Sequence, residues 1–106
     1  MPVKFVITTL KPGVDPEAYE RWVRERDYVY ASSNPNFVSY RVHRIDGPIT
    51  GAPDAGWRYI ERIEVKNLEQ HQMDLASFEG AALIKELYEN YLDRSKNIYL
   101  TTEVVE

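Results

Sequence analysis

The sequence predicts an α+β domain in which two helices, the second of them broken, cover one face of a four-stranded antiparallel sheet. Three observations lead there. Four segments alternate in hydrophobicity with the two-residue period of a strand, and two longer segments repeat apolar residues at helical spacing. Their order is strand, helix, strand, strand, broken helix, strand. That βαββαβ order is the ferredoxin-like split βαβ arrangement.

Each element carries local signals of its own. "PVKFVITTL" is the first strand, with Val3, Phe5 and Ile7 on one face and Val6 and Leu10 on the other. In "KPGVDPEAYERW" the chain turns into a helix: Asp15 is the N-cap, Pro16 occupies the first helical position and Glu17 complements the dipole. "SSNPN" ends that helix and "FVSYRVHRI" follows as the second strand, closed by the turn-rich "DGPITGAPDAG". "WRYIERIEV" is the third strand, with Trp57, Tyr59, Ile63 and Val65 on one face. Asn67 caps a short helix, Gln70 holds the capping-box position, and Leu68, His71, Leu75 and Phe78 form its stripe. Gly80 is expected to interrupt it. A second segment places Ile84, Leu87, Tyr88, Tyr91 and Leu92 on one side, and "NIYLTTEVV" is the fourth strand.

Composition bounds the function. With 106 residues, 43% of them apolar, the chain is one domain spanning 1–106, of a size that buries roughly 60 to 70% of its unfolded surface. It has no cysteine, which removes disulfides, thiol nucleophiles and cysteine-ligated zinc. No run reaches the apolar length of a membrane span, and the N-terminal stretch has no signal-peptide pattern, so a cytoplasmic location is expected. A net charge of -4 with no basic cluster argues against nucleic acid. Eight tyrosines and two tryptophans serve either as ordinary core and rim or as the lining of a pocket for a planar aromatic ligand. No Gly-rich phosphate loop, nucleophile elbow or dinucleotide fingerprint occurs, and neither histidine belongs to a metal-ligand spacing. The expected chemistry is therefore cofactor-free, metal-free acid–base work.

Apolar residues occupy both faces of the first and last strands, Ile98, Leu100 and Val104 alternating with Tyr99 and Val105. The face without helices would expose more apolar surface than a monomer carries, which predicts a homodimer packed sheet to sheet.

Charges intrude on the buried faces. Around a helix turning about 100° per residue, Ala18, Tyr19, Trp22, Val23, Val29 and Tyr30 gather into one sector, with Arg26 in its middle and Asp27 at its edge. Glu61 shares its strand face with Tyr59 and Ile63. An unpaired buried charge costs several kcal/mol, so these groups either face one another across a polar pocket between helix and sheet, or escape. In the second reading Arg26 snorkels past the helix end and Glu61 pairs with an arginine of a neighbouring strand.

"LKPGVDPEAYERWVRERDY", "PNFVSYRVHRIDG" and "WRYIERIEVKNLE" together resemble the REDY-like (HapK-type) family of the dimeric α/β-barrel superfamily, over most of the chain. The shared features are a strand ending in a Lys-Pro-Gly turn, a helix with Tyr, Trp and Asp at the spacing of Tyr19, Trp22 and Asp27, and a third strand bearing Tyr59, Ile60 and Glu61. Where the family often has proline after the aspartate, this chain has Tyr28, a departure that bears on the pocket mouth. The resemblance implies a homodimeric α/β barrel with a cavity in each subunit, and a ring-forming role on pyrrole- or indole-derived intermediates of pigment pathways.

The expected function is then a small cofactor-independent enzyme that assists cyclisation or tautomerisation of an aromatic intermediate by proton transfer. Asp27 or Glu61 is the expected base and His43 a possible acid. Arg26 or Arg41 would hold an anionic group, and Trp22, Tyr40 and Tyr59 would form the aromatic wall. The alternatives are a non-catalytic dimeric protein that sequesters such a molecule, and a dimerisation module with a filled core. The 47–56 loop is either a lid or an exposed connection.

Overall fold

The computed structural model describes all residues, 1–106. Its four strands are β1 (Val3–Thr8), β2 (Phe37–Arg44), β3 (Tyr59–Val65) and β4 (Ile98–Thr102), in the antiparallel order β2-β3-β1-β4. The two helical connections, β1 to β2 and β3 to β4, each pass over one strand, and β2 and β3 are joined directly, which is the predicted ferredoxin-like topology. The strands are shorter than the sequence suggests: β1 ends at Thr8 rather than Leu10, β2 at Arg44 rather than Ile45 and β4 at Thr102 rather than Val105, and β3 begins at Tyr59 rather than Trp57. Trp57 instead anchors its indole on the Lys96 carbonyl, 2.9 Å away.

The first helical segment is α1 (Pro16–Trp22), a π-turn (Val23–Asp27) and α2 (Tyr28–Ser32). Asp15 caps it as predicted, accepting from the Glu17 N–H at 3.0 Å. At the π-turn the Tyr28 N–H reaches five residues back to the Val23 carbonyl. One extra residue in that turn sets everything after it back by roughly 100° around the axis. Asp27 thereby takes the inward direction that a regular helix gives to residue 26, and Arg26 turns outward.

On the second crossover α3 (Leu68–Ala76) and α4 (Phe78–Asn90) meet at Ser77, whose hydroxyl caps α4 by accepting from the Gly80 N–H. The break is thus at Ser77. Gly80 does not interrupt a helix; it lies inside α4 where the α3 backbone passes closest, and a Cβ there would stand 2.1 Å from the Asp74 carbonyl oxygen.

The core lies between helices and sheet in two clusters. One joins Tyr19, Trp22 and Val23 to Tyr59, Leu83 and Leu87, and the other joins Val6, Ala31, Tyr40, Ile63 and Val65. Strand register puts the helix-facing side chains in rows across the sheet: Val42, Glu61, Val6 and Tyr99 form one, and Tyr40, Ile63 and Lys4 lie in the next. No helix covers the opposite face. There Phe5, Ile7, Ile60 and Ile98 are half-buried and Leu100 is 45% exposed.

Candidate functional site

Three elements deliver three polar side chains to one point between helix and sheet. The π-turn supplies Asp27, β2 supplies Tyr40 and β3 supplies Glu61. The Tyr40 hydroxyl lies 2.5 Å from Asp27 Oδ2 and 2.6 Å from Glu61 Oε1. Both carboxyls are buried, 5% and 6% exposed.

A phenol carries one proton and two short contacts must be filled. Tyr40 can donate to only one carboxylate, so the second contact requires a carboxylic acid that donates to the phenol oxygen. The triad therefore closes with a single extra proton on the Asp27–Glu61 pair. Its electrostatics agree. Burial pushes the Asp27 carboxyl up to about 7, helped by the neighbouring charge of Glu61 and opposed by the Tyr40 hydrogen bond. Burial likewise raises Glu61, against the lowering effects of Tyr40 and of the Lys4 charge. Tyr40 itself is held well above an ordinary phenol by burial and by both carboxylates, so it keeps its proton. Two like charges sharing a buried site cannot both ionise cheaply.

Beside the triad, Lys4 projects from β1 in the row adjacent to Glu61, and its Nζ lies 2.7 Å from His71 Nε2 of α3. His71 is 2% exposed and its Nδ1 has no hydrogen-bond partner. Burial, then the Lys4 charge, pushes His71 down to about 4, so it is neutral at physiological pH. Burial also lowers Lys4, although Glu61 counteracts this.

These groups line a cavity of about 150 Å³ that also includes Phe37, Ile63, Leu83, Leu87 and Tyr88. Its exposed members are Arg94 and Tyr99, which places the mouth beside β4. A 150 Å³ apolar cavity is the size that accepts one benzene ring. A larger open cleft of about 760 Å³ between α2 and α3 carries mostly polar side chains and excludes the triad.

Of the residues expected in the site, Asp27, Tyr40 and Glu61 come together. The others do not. His43 is exposed on the far face of β2, because register places it opposite Ile60 rather than Glu61. The π-turn directs Arg26 to the surface, where its Nη2 pairs with Glu86 at 3.0 Å. Trp22 is buried in the core, with its indole N–H on the same Glu86 carboxylate at 2.8 Å. Arg41 is exposed and donates to the Tyr40 carbonyl. Tyr59 is buried in the same cluster as Trp22 and donates to Glu20 Oε2 at 2.8 Å. None of these five lines the cavity. Of the expected aromatic wall Tyr40 alone lines the cavity, and Tyr30, Phe37, Tyr88 and Tyr99 complete it. The 47–56 loop is exposed along its length and none of its residues lines the cavity.

Lys4, for which the sequence suggested no role, and His71, expected only in the stripe of its helix, both line the cavity. A signal for Lys4 existed: strand alternation puts it with Val6 on the helix-covered face, where a lysine is out of place. No group of three His, Asp or Glu side chains is arranged to hold a metal ion, and no helix is long and apolar enough to cross a membrane.

Fold and site together define a small ferredoxin-like α+β domain with an acid-lined cavity under its helices. The chain belongs to the REDY-like protein HapK family, whose sequence pattern matches residues 2–105. Among solved structures it is similar to HapK from Hahella chejuensis, at 21% identity over 99% of this chain and 93% of that one, with a TM-score of 0.76. It is also similar to the hydroxynitrile lyase from Passiflora edulis (11% identity, 99% and 94% covered, TM-score 0.77). A third similar structure is a dimeric ferredoxin-like protein of unknown function from Thermobifida fusca (10%, 97% and 90%, TM-score 0.69). No curated protein matches the chain. At these identities the structural likeness establishes the fold.

Proposed function

We propose that this protein is a cofactor-independent acid–base catalyst that binds a small aromatic molecule of pyrrole or indole type and assists its tautomerisation or cyclisation. The observation that carries this reading is the Asp27–Tyr40–Glu61 triad, which closes its two short hydrogen bonds only with a proton to spare. A carboxyl held near 7 donates or accepts a proton at physiological pH without a large penalty either way. Asp27 and Glu61 act as an acid and base pair, and Tyr40 relays between them. Tyr88, Phe37 and the leucines of α4 supply an apolar wall for one ring, and a longer molecule extends past Arg94 and Tyr99 to solvent.

The same reading includes a homodimer through the uncovered sheet face, where Phe5, Ile7, Ile60, Ile98 and Leu100 form an apolar patch. A dimeric protein among the similar structures supports it.

Deuterium uptake at the ring carbons of 2,4-dimethylpyrrole in D2O, followed by NMR, tests the catalytic claim, because exchange there proceeds through ring-carbon protonation. The protein is expected to accelerate it by about 10²-fold or more, with most of that lost in both Asp27→Asn and Glu61→Gln. Exchange at the wild-type rate in both variants would refute the acid–base assignment. Saturable binding of the pyrrole with no acceleration would favour a sequestering, non-catalytic protein.

A further inference from the structure

The acid–base reading leaves Lys4 and His71 without a task, although they stand inside the same cavity. Lys4 is the one lysine on the helix-covered sheet face; Lys66, Lys85 and Lys96 are exposed, and Lys11 is half-buried away from the cavity. Lys4 takes part in no ion pair. Its close partner is the imidazole of His71 at 2.7 Å, a neutral group, and Glu61 acts on the amine's charge without a direct contact. A structural lysine under a helix would be expected to meet a carboxylate. Here Glu61, the nearest acid across the sheet, is engaged by Tyr40 instead.

We propose that Lys4 is a nucleophilic amine that forms a Schiff base with aldehydes or ketones entering this cavity, so that the ligand class includes aromatic carbonyl compounds; this rests on the cavity being the ligand site. The neighbouring groups fit each step. The Lys4 lone pair attacks the carbonyl carbon, a C–N bond forms, and the C=O π pair moves to oxygen. That oxygen takes the proton held by the Asp27–Glu61 pair, and the new nitrogen loses one proton to His71 Nε2, giving a neutral carbinolamine. Transfer of the His71 proton to the hydroxyl lets it depart as water. The resulting iminium gives up its N–H proton to the carboxylate pair. The sum is amine plus carbonyl giving imine plus water, with the proton of the carboxyl pair restored and no change of oxidation state.

Burial favours the free amine that this attack needs. An ordinary exposed lysine is neutral in only about one molecule in 2,500 at pH 7. Selective reaction at a single lysine is therefore the signature.

The test is reductive trapping of the whole protein at pH 7 with benzaldehyde and cyanoborohydride, followed by peptide mapping. Binding of benzyl alcohol, which cannot form an imine, is followed in parallel by NMR. Benzylation at Lys4 is expected to exceed that at each of Lys11, Lys66, Lys85 and Lys96 by about tenfold or more, and to be displaced by benzyl alcohol. The wild-type map is sufficient by itself, and Lys4→Arg, if folded, should lose the adduct. Benzyl alcohol binding without a preferred Lys4 adduct would overturn the Schiff-base proposal and leave the cavity reading standing. If neither compound engages the cavity, both readings fall.

Discussion

Replacing Asp27 by asparagine removes a titrating group while keeping a side chain that can still hydrogen-bond to Tyr40. In the fold the Asp27 carboxyl titrates at about 7, raised chiefly by burial, whereas in the unfolded chain it titrates near 3.9. Above pH ~4 the unfolded chain releases this proton and the folded one keeps it. The contribution to stability is therefore fully present below pH ~4 and is lost as pH rises towards ~7. Three pH units at 1.36 kcal/mol each set its upper size at about 4 kcal/mol, a large part of the stability of a domain this small. Urea unfolding followed by tryptophan fluorescence between pH 4 and 8 measures it. Wild-type stability should fall across that range, and the Asp27→Asn protein should fall by less, gaining up to about 4 kcal/mol on wild type between the two ends. Glu61 titrates in both proteins, so the difference between the curves carries the information. Parallel curves would show that Asp27 is ionised throughout and that the proton count of the triad is wrong.

Three further outcomes follow from the same structure. Tyr40→Phe leaves both buried carboxyls without their shared partner and should cost about 3 kcal/mol at neutral pH, at 1.5–3 kcal/mol per hydrogen bond to a charged group; a loss below ~1 kcal/mol in urea unfolding would contradict the geometry. Gly80→Ala places a methyl group 2.1 Å from the Asp74 carbonyl oxygen and 2.8 Å from Leu75 Cα, both backbone atoms. It should destabilise by about 1–3 kcal/mol despite alanine's better helix propensity, seen as a lowered Tm in calorimetry. Leu100→Asp puts a charge on the uncovered apolar face, beside Phe5, without touching the helix-side core; sedimentation should show a dimer converted to monomer with an unchanged far-UV spectrum.

The order of elements was legible because capping and alternation are local signals. Asp15 and Asn67 cap where they should, and "KNLEQ" and "VDPEA" announce their helices without help from the rest of the chain. The pairing of Asp27 with Glu61 was legible for a different reason. Both break an apolar pattern, and a buried charge must be answered by something. What could not be read was the π-turn. Nothing in "VRERD" distinguishes it from a regular turn, yet the single added residue exchanges the directions of Arg26 and Asp27 and decides which of them meets the sheet. His43 is a different case: three residues from Tyr40 on an unbroken stretch of β2, it takes the opposite face by alternation alone, so the two were never able to meet Glu61 together. Trp22 and Tyr59 were expected at the cavity as aromatics on the right faces. Their polar tips go to Glu86 and Glu20, acids brought close only by the tertiary fold.

The account turns on one proton. A ¹³C NMR titration of the side-chain carboxyl carbons of Asp27 and Glu61, assigned through the Asp27→Asn and Glu61→Gln proteins, reads it directly. The structure predicts that at pH 6 the pair still holds one proton, released around pH 7, while the Tyr40 phenol stays protonated throughout. Both carboxyls titrating to completion below pH 5 would contradict the account.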